Sequence, residues 1–139
     1  MINRYRGFTL VELLTVVAII GVLASVILSS LNDARIAGVE AKIKGEMDSL
    51  AKTASIDESV TQSYDTVCGS NGATQSVKVV DVITAINTFA SSAVTCNSDT
   101  GAYAVSVPLD VDHWCIDSVG SKKSIPSALT TSPLQLTCP

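Results

Sequence analysis

Hydrophobic residues run almost without interruption near the start of the chain, from Phe8 to Leu31. Glu12 is the only charged residue in this run. A helix needs about 20 apolar residues to cross a bilayer, and this stretch supplies them. The pattern therefore predicts a membrane-spanning helix over residues 8–31, with a single carboxylate inside it.

After residue 31, hydrophobic residues recur every three or four positions, which is the period of an α-helix. The other faces are charged, and the stripe consists of Ile36, Val39, Ile43, Met47, Leu50 and Ala54. No glycine or proline interrupts residues 29–33. We therefore expect one continuous helix from Phe8 to about Ser55, amphipathic over residues 32–55. The alternative is a separate short helix that follows a loop at Ser29–Asp33.

The remaining residues, 56–139, predict a small globular head. Residues 57–63 are polar and are assigned to a loop, whereas hydrophobic spacing predicts a second helix over 77–90, with a pair of strands as its main competitor. A turn at 97–101 precedes an alternating, half-buried strand at 103–107, which pairs with a strand at 113–119. A turn at 120–124 follows, and residues 133–138 supply a third, edge strand. The expected fold class is α+β, with a long N-terminal helix packed on a small antiparallel sheet.

All four cysteines lie in the second half of the chain and none forms a CxxC pair. In a small domain beyond a membrane segment, such spacing predicts two disulfides formed in an oxidising compartment. Four free buried thiols in a cytosolic protein are the alternative. We favour Cys68–Cys96 and Cys115–Cys138, because each pair encloses one compact unit, although the sequence leaves all three pairings possible.

Charge and residue types narrow the chemistry of the head. A net charge of −4 over 139 residues argues against direct nucleic-acid binding, which needs clustered Lys and Arg. The single histidine, His113, excludes a metal site built on histidines, and no GxSxG turn presents a serine to it. Asp99, Asp110 and Asp112 are calcium candidates on loops, with solvated turn carboxylates as the alternative. We predict no enzyme activity, no cofactor, no small-molecule substrate and no metal beyond these calcium candidates.

Three interpretations of the N-terminus compete. Arg4 and Arg6 precede the apolar run, as in a secretory signal peptide or in a membrane anchor whose head lies outside. Neither explains Glu12, because an acid inside a membrane helix costs roughly 2.5–3.5 kcal/mol. Cleavage after Gly7 would place the new amine of Phe8 one helical turn from Glu12. In an assembly, the carboxylate can then pair with the amine of a neighbouring subunit and set the axial register between helices.

The segment Arg6–Leu13, RGFTLVEL, resembles the leader and helix start of type IV prepilins and pseudopilins. Its GFTLVE motif at Gly7–Glu12 is typical of a class III signal peptide. The resemblance implies that a prepilin peptidase cuts between Gly7 and Phe8, removes leader residues 1–7, and leaves a Phe8 amine that is N-methylated. The close motif covers roughly Arg4 to Asn32, and the rest of the chain resembles the family only in layout, which is that of the pilin fold.

The chain departs from many members of this family in one respect. It has no proline late in the apolar helix, where Ser29 and Ser30 stand. Family filaments often unwind locally in this helix, and Gly21 is our candidate for that position because glycine costs about 1 kcal/mol against alanine in a helix interior. Gly21, Ser25 and Ser29 also form a small-residue face that could let helices approach closely; chance placement is the alternative.

The function implied by the resemblance is structural: a type IV pilus subunit that polymerises through its N-terminal helix, with roles in adhesion, motility or DNA uptake. Expected partners are other copies of the chain, minor pilins, prepilin peptidase and the pilus assembly machinery. The subunit would wait in the cytoplasmic membrane with its head outside, and then enter an extracellular filament. A pseudopilin of a type II secretion system is the alternative, followed by a single-pass anchored enzyme or sensor.

Overall fold

The computed structural model of the protein describes residues 7–139. Of the leader predicted at 1–7, only Gly7 therefore lies within the described residues. The chain divides into two compact units, one that ends at Ala37 and one that comprises Gly38–Pro139. Helix α1, Leu10–Thr61, contributes residues to both.

Helix α1 is continuous, as predicted, and the alternative of a break at Ser29–Asp33 is wrong. The loop predicted at 57–63 is also wrong, because the helix continues to Thr61. Polar residues there bind the helix itself: the hydroxyls of Ser59 and Thr61 donate to backbone carbonyls one turn earlier, over 2.6 and 2.8 Å. Such bonds remove the hydroxyls from competition with the helical backbone. The helix ends at Thr61, and the next residue, Gln62, has a left-handed φ of 56°.

The main hydrophobic core of the second unit lies between α1 and the sheet. The predicted stripe is buried on α1 at Ile43, Met47, Leu50 and Ala54. These side chains share one cluster with residues from the sheet, chiefly Tyr103, Val105, Val107 and Ile116. The helical period of the sequence therefore correctly identifies the face that packs on the head.

Four strands form one antiparallel sheet in the order β1-β2-β3-β4. They are β1 (Thr95–Ser98), β2 (Tyr103–Pro108), β3 (His113–Asp117) and β4 (Lys122–Ile125). The central pair, β2 and β3, lies where the sequence predicts two strands. The predicted turns at 97–101 and 120–124 are partly wrong, because β1 includes Asn97 and β4 begins at Lys122. Both outer strands are polar, and a lysine-rich edge strand is hard to distinguish from a loop by sequence.

Strand β2 is buried on both faces, so the prediction of a half-buried strand is wrong. Its second face is covered by the C-terminal segment, in a cluster of Ala104, Cys115, Ile125, Leu129 and Cys138. The third strand predicted at 133–138 is also wrong, since only an isolated bridge joins Thr131 to Leu134. This segment bonds to a buried side chain instead: Asn97 donates through Nδ2 to the carbonyls of Thr130 and Gln135, over 2.8 and 2.9 Å.

Two short helices and two disulfides complete the head. Helix α2 (Asp65–Cys68) was not expected, and α3 (Val77–Asn87) occupies most of the predicted 77–90. The favoured cysteine pairing is confirmed: Cys68–Cys96 joins α2 to β1, and Cys115–Cys138 joins β3 to the C-terminal segment. No free cysteine remains.

Candidate assembly site

The predicted cleavage site lies just before α1. Residues 7–9 are exposed and not helical, and α1 begins at Leu10. Phe8 is 77% exposed, and a Cβ built on Gly7 would meet no atom within 4 Å. The described chain therefore imposes no steric requirement for glycine at position 7.

Glu12 and Thr9 form a reciprocal cap at the start of α1. The Glu12 backbone N–H donates to the Thr9 hydroxyl oxygen over 3.2 Å. In return, one Glu12 carboxylate oxygen accepts from the Thr9 backbone N–H over 2.9 Å and from the Thr9 hydroxyl over 2.8 Å. This is a capping box, in which a Thr and a Glu three residues apart satisfy donors that the helix start would otherwise leave free.

Thr9 is a residue that the sequence analysis missed. The spacing Thr9-Leu-Val-Glu12 is itself the signal, since a Ser or Thr followed three residues later by Glu before a hydrophobic run marks a helix start. The capping box also changes the environment expected for the Glu12 carboxylate. Within one copy of the chain the carboxylate already has hydrogen-bond donors, so its cost in an apolar environment is partly offset before any neighbour arrives.

Gly21 lies inside the unbroken α1, and the helix shows no local unwinding there. A Cβ at position 21 would contact nothing within 4 Å, so packing inside one copy does not require the glycine. Ser25, one turn later, donates its hydroxyl to the Val22 carbonyl over 2.8 Å. Its polar group is thus satisfied within the helix, and a small surface remains for a neighbouring helix.

The apolar part of α1 has no packing partner within the described chain. Every large hydrophobic side chain from Phe8 to Leu31 is between 47% and 77% exposed. Within residues 7–139, α1 is the one helix that is long and apolar enough to cross a membrane. An apolar surface of this extent needs lipid or other protein around it.

Comparison with protein families matches residues 2–28 to a prokaryotic N-terminal methylation motif. The chain carries the class III signal peptide of type IV pilins. The match covers the leader, the capping box and most of the apolar run, which are the parts that carry the resemblance. Comparisons with curated proteins and with solved structures give no match. The α+β head with its two disulfides fits a pilin-like fold.

The calcium candidates of this pilin-like chain are divided between two ends of β2. Asp99 lies in the β1–β2 turn, where its Oδ1 accepts from the backbone N–H groups of Gly101 and Ala102, each over 2.8 Å. Asp110 and Asp112 lie in the β2–β3 turn. Within residues 7–139 no group of three or more Asp, Glu, His or Cys side chains is placed to hold a metal. The three candidates are therefore not brought together.

Two other acidic residues in the head accept several hydrogen bonds from the surrounding chain. Asp65 accepts from the side chains of Ser70, Ser63, Asn71 and Thr100, which lower the pKa of its carboxyl although partial burial opposes this. Asp117 is buried at 3% exposure, and its two oxygens accept from three backbone N–H groups. Burial, with smaller contributions from Tyr64 and Asp117, raises the pKa of Tyr103 to about 12.

His113 begins β3, and its Nδ1 is buried without a hydrogen-bond partner among residues 7–139. The same holds for the indole nitrogen of the adjacent Trp114. No described residue therefore orients the His113 ring as a base would be oriented in a catalytic triad.

Proposed function

We propose that this chain is a structural subunit of a type IV pilus, which polymerises into an extracellular helical filament through its N-terminal helix. The observation that carries the proposal is the methylation motif on an apolar helix that contains one capped acid. The motif is common to pilins and pseudopilins, and two disulfides in the head favour a subunit that is exposed outside the cell.

Processing would remove residues 1–7 by hydrolysis of the Gly7–Phe8 peptide bond. The bond lies in an exposed, non-helical segment, which supports access by a membrane peptidase. Since a Cβ at position 7 would meet no atom of residues 7–139, the peptidase pocket would be the element that requires glycine. The new Phe8 amine would then be methylated.

Assembly would add a contact between subunits to those that Glu12 already makes within the chain. The Thr9 donors hold the carboxylate at the first turn of α1, where the partial positive charge of the helix also favours it. The positive amine of Phe8 from a neighbouring copy would add a charge-assisted bond to this carboxylate. Burial of the exposed apolar side chains would drive association, and this bond would fix the register between helices.

The proposed partners follow from this pathway. They are prepilin peptidase, other copies of the chain, minor pilins and the pilus assembly machinery, with the cytoplasmic membrane as the site before assembly. Adhesion, motility and DNA uptake are all compatible with such a filament. A pseudopilin of a type II secretion system would share the processing but would not form long surface fibres.

The test is the intact mass, with N-terminal sequencing, of the protein sheared from the surface of cells that express the full chain. We expect a chain that begins at N-methylated Phe8 and contains no free thiol. Recovery of the processed chain only from membranes would favour the pseudopilin function. Recovery with residues 1–7 still attached would contradict the proposal and leave an anchored protein.

A further inference from the structure

A cleft of about 250 Å³ opens in the second unit beside the β3–β4 turn. Its lining includes two exposed lysines, Lys52 from α1 and Lys122 from β4, beside the half-buried Ala51 and the fully buried Ile116. The acid in the cleft, Asp117, is already engaged by three backbone N–H groups. The cleft therefore presents lysine ammonium groups beside a small apolar surface at Ala51.

The two lysines differ in whether they already form an ion pair within the chain. Lys122 Nζ lies 2.7 Å from an oxygen of Asp48. Among residues 7–139, Lys52 has no ion-pair partner, since the two pairs found join Lys122 to Asp48 and Lys44 to Glu40. In this cleft, Lys52 is therefore the lysine whose ammonium group can form an ion pair with a carboxylate of another molecule.

A turn that carries negative charge lies at the other end of the sheet. The β2–β3 turn, Leu109–Asp112, is closed by a 2.8 Å bond from the Leu109 N–H to the Asp112 carbonyl. Its tip carries exposed Asp110 and Val111, and Val111 is 91% exposed, the highest value among the large hydrophobic residues found exposed. Neither Asp110 nor Asp112 forms an ion pair within residues 7–139. We call this turn the acidic knob.

The knob and the cleft cannot meet within one copy. The knob immediately precedes β3 and the cleft lies at the turn that follows β3. They are therefore separated by about the length of this strand, roughly 17 Å at 3.3 Å per residue. Complementary patches at opposite ends of a subunit give a head-to-tail contact, which can repeat without closing and so generates a filament.

We infer that the acidic knob of one copy enters the lysine cleft of the next, with the Asp110 carboxylate against the Lys52 ammonium and Val111 against Ala51. The partner is thus a second copy of this chain. The inference rests on the proposed polymerisation and adds to it a specific contact between heads. Charge complementarity at such a contact selects the partner and its register more than it adds affinity.

The direct test is zero-length cross-linking with a carbodiimide, which joins a carboxylate to an amine only when the two are in contact. Membranes and sheared surface material from cells that express the full chain are treated, and dimers or larger species are digested and analysed by mass spectrometry. We expect a peptide pair that joins Asp110 to Lys52. Multimers joined only through other acid and lysine pairs, or no multimers, would overturn the contact.

Charge exchange tests the same pair with matched controls, and the double variant decides, because each single variant also removes one reactive group of the cross-link. Asp110→Lys and Lys52→Asp should each lower the yield of cross-linked multimers about tenfold, and the double variant should restore most of it. Asp81→Lys and Lys78→Asp make the same charge changes at exposed positions on α3 and should leave the yield unchanged. Failure of the double variant to recover would contradict the pairing.

The contact and the proposed function can fail separately. The Asp110–Lys52 cross-link in membranes, without surface filaments, would support the contact and contradict the pilus. Filaments whose heads are joined through other residues would support the pilus and contradict the contact.

Discussion

Asp117 provides the sharpest prediction about the stability of the head. One of its oxygens accepts from the backbone N–H groups of Val119 and Ser121, over 3.1 and 2.9 Å. The other accepts from the N–H of Cys138 over 2.9 Å. A single buried carboxylate thus holds the β3–β4 turn and the C-terminal segment together, which only an acceptor on both oxygens can do.

The variant Asp117→Asn replaces one acceptor oxygen by an NH₂ group. Whichever way the amide points, its donor faces at least one backbone N–H, and the remaining bonds lose their charge. An unsatisfied buried donor costs about 1–3 kcal/mol, and bonds to a charged group contribute about 1.5–3 kcal/mol. We therefore expect the free energy of unfolding to fall by about 3 kcal/mol.

Urea unfolding of the oxidised full chain in detergent micelles measures this loss. Trp114, the single tryptophan, lies on β3 and reports the transition by fluorescence. With a slope of about 1.5 kcal/mol per molar urea, the midpoint should fall by about 2 M. The control Asp81→Asn, at an exposed helix position, should change stability by less than about 0.5 kcal/mol. An Asp117→Asn midpoint equal to that of the control would refute the reasoning.

Three further predictions concern processing, assembly and pH. Gly7→Val should leave the leader uncut, because the proposed requirement for glycine belongs to the peptidase; a normally shortened chain by mass spectrometry would place the cut elsewhere. Glu12→Val should still enter the membrane but yield few filaments, and wild-type filament yield by electron microscopy would contradict the register role. The lowered pKa of Asp65 means that the folded state favours its charged form. Its contribution to stability is therefore complete above the ordinary pKa of 3.8 and is lost as pH falls through the lowered pKa. Urea midpoints measured between neutral and acidic pH should fall in this window for the wild type, and Asp65→Asn should flatten the curve; equal slopes would exclude Asp65 as the cause.

The sequence predicts best where a strong periodic signal and burial agree. The stripe that includes Met47 and Leu50 has a clear helical period, and both residues are fully buried on α1. The favoured cysteine pairing is also confirmed, since each bridge closes a local unit, although spacing alone left all three pairings possible. The motif around Glu12 is specific because an acid in an apolar helix needs a physical reason.

The errors concern polar residues whose hydrogen-bond partners or neighbouring turns the sequence pattern does not indicate. Asn97 belongs to a buried strand because two carbonyls of the C-terminal segment accept its amide, and nothing near it in sequence indicates this. Lys122 begins a strand because the preceding turn is tight, with Gly120 at φ 88°. At the candidate site, Thr9 could have been found from its spacing to Glu12. The cleft at Lys52 could not, because it combines residues distant in sequence.

The two disulfides have a mechanical consequence for any fibre made of this chain. Neither reaches α1, which contains no cysteine, so within the second unit only packing and polar contacts attach this helix to the sheet. Tension applied to the helix would be resisted in shear by many side chains at once. If the helix slipped, the stretch from Thr61 to Cys68 would extend by at most about 25 Å before the pull reached the Cys68–Cys96 cross-link. The head would then lengthen by a short, limited step and keep its covalently closed loops intact.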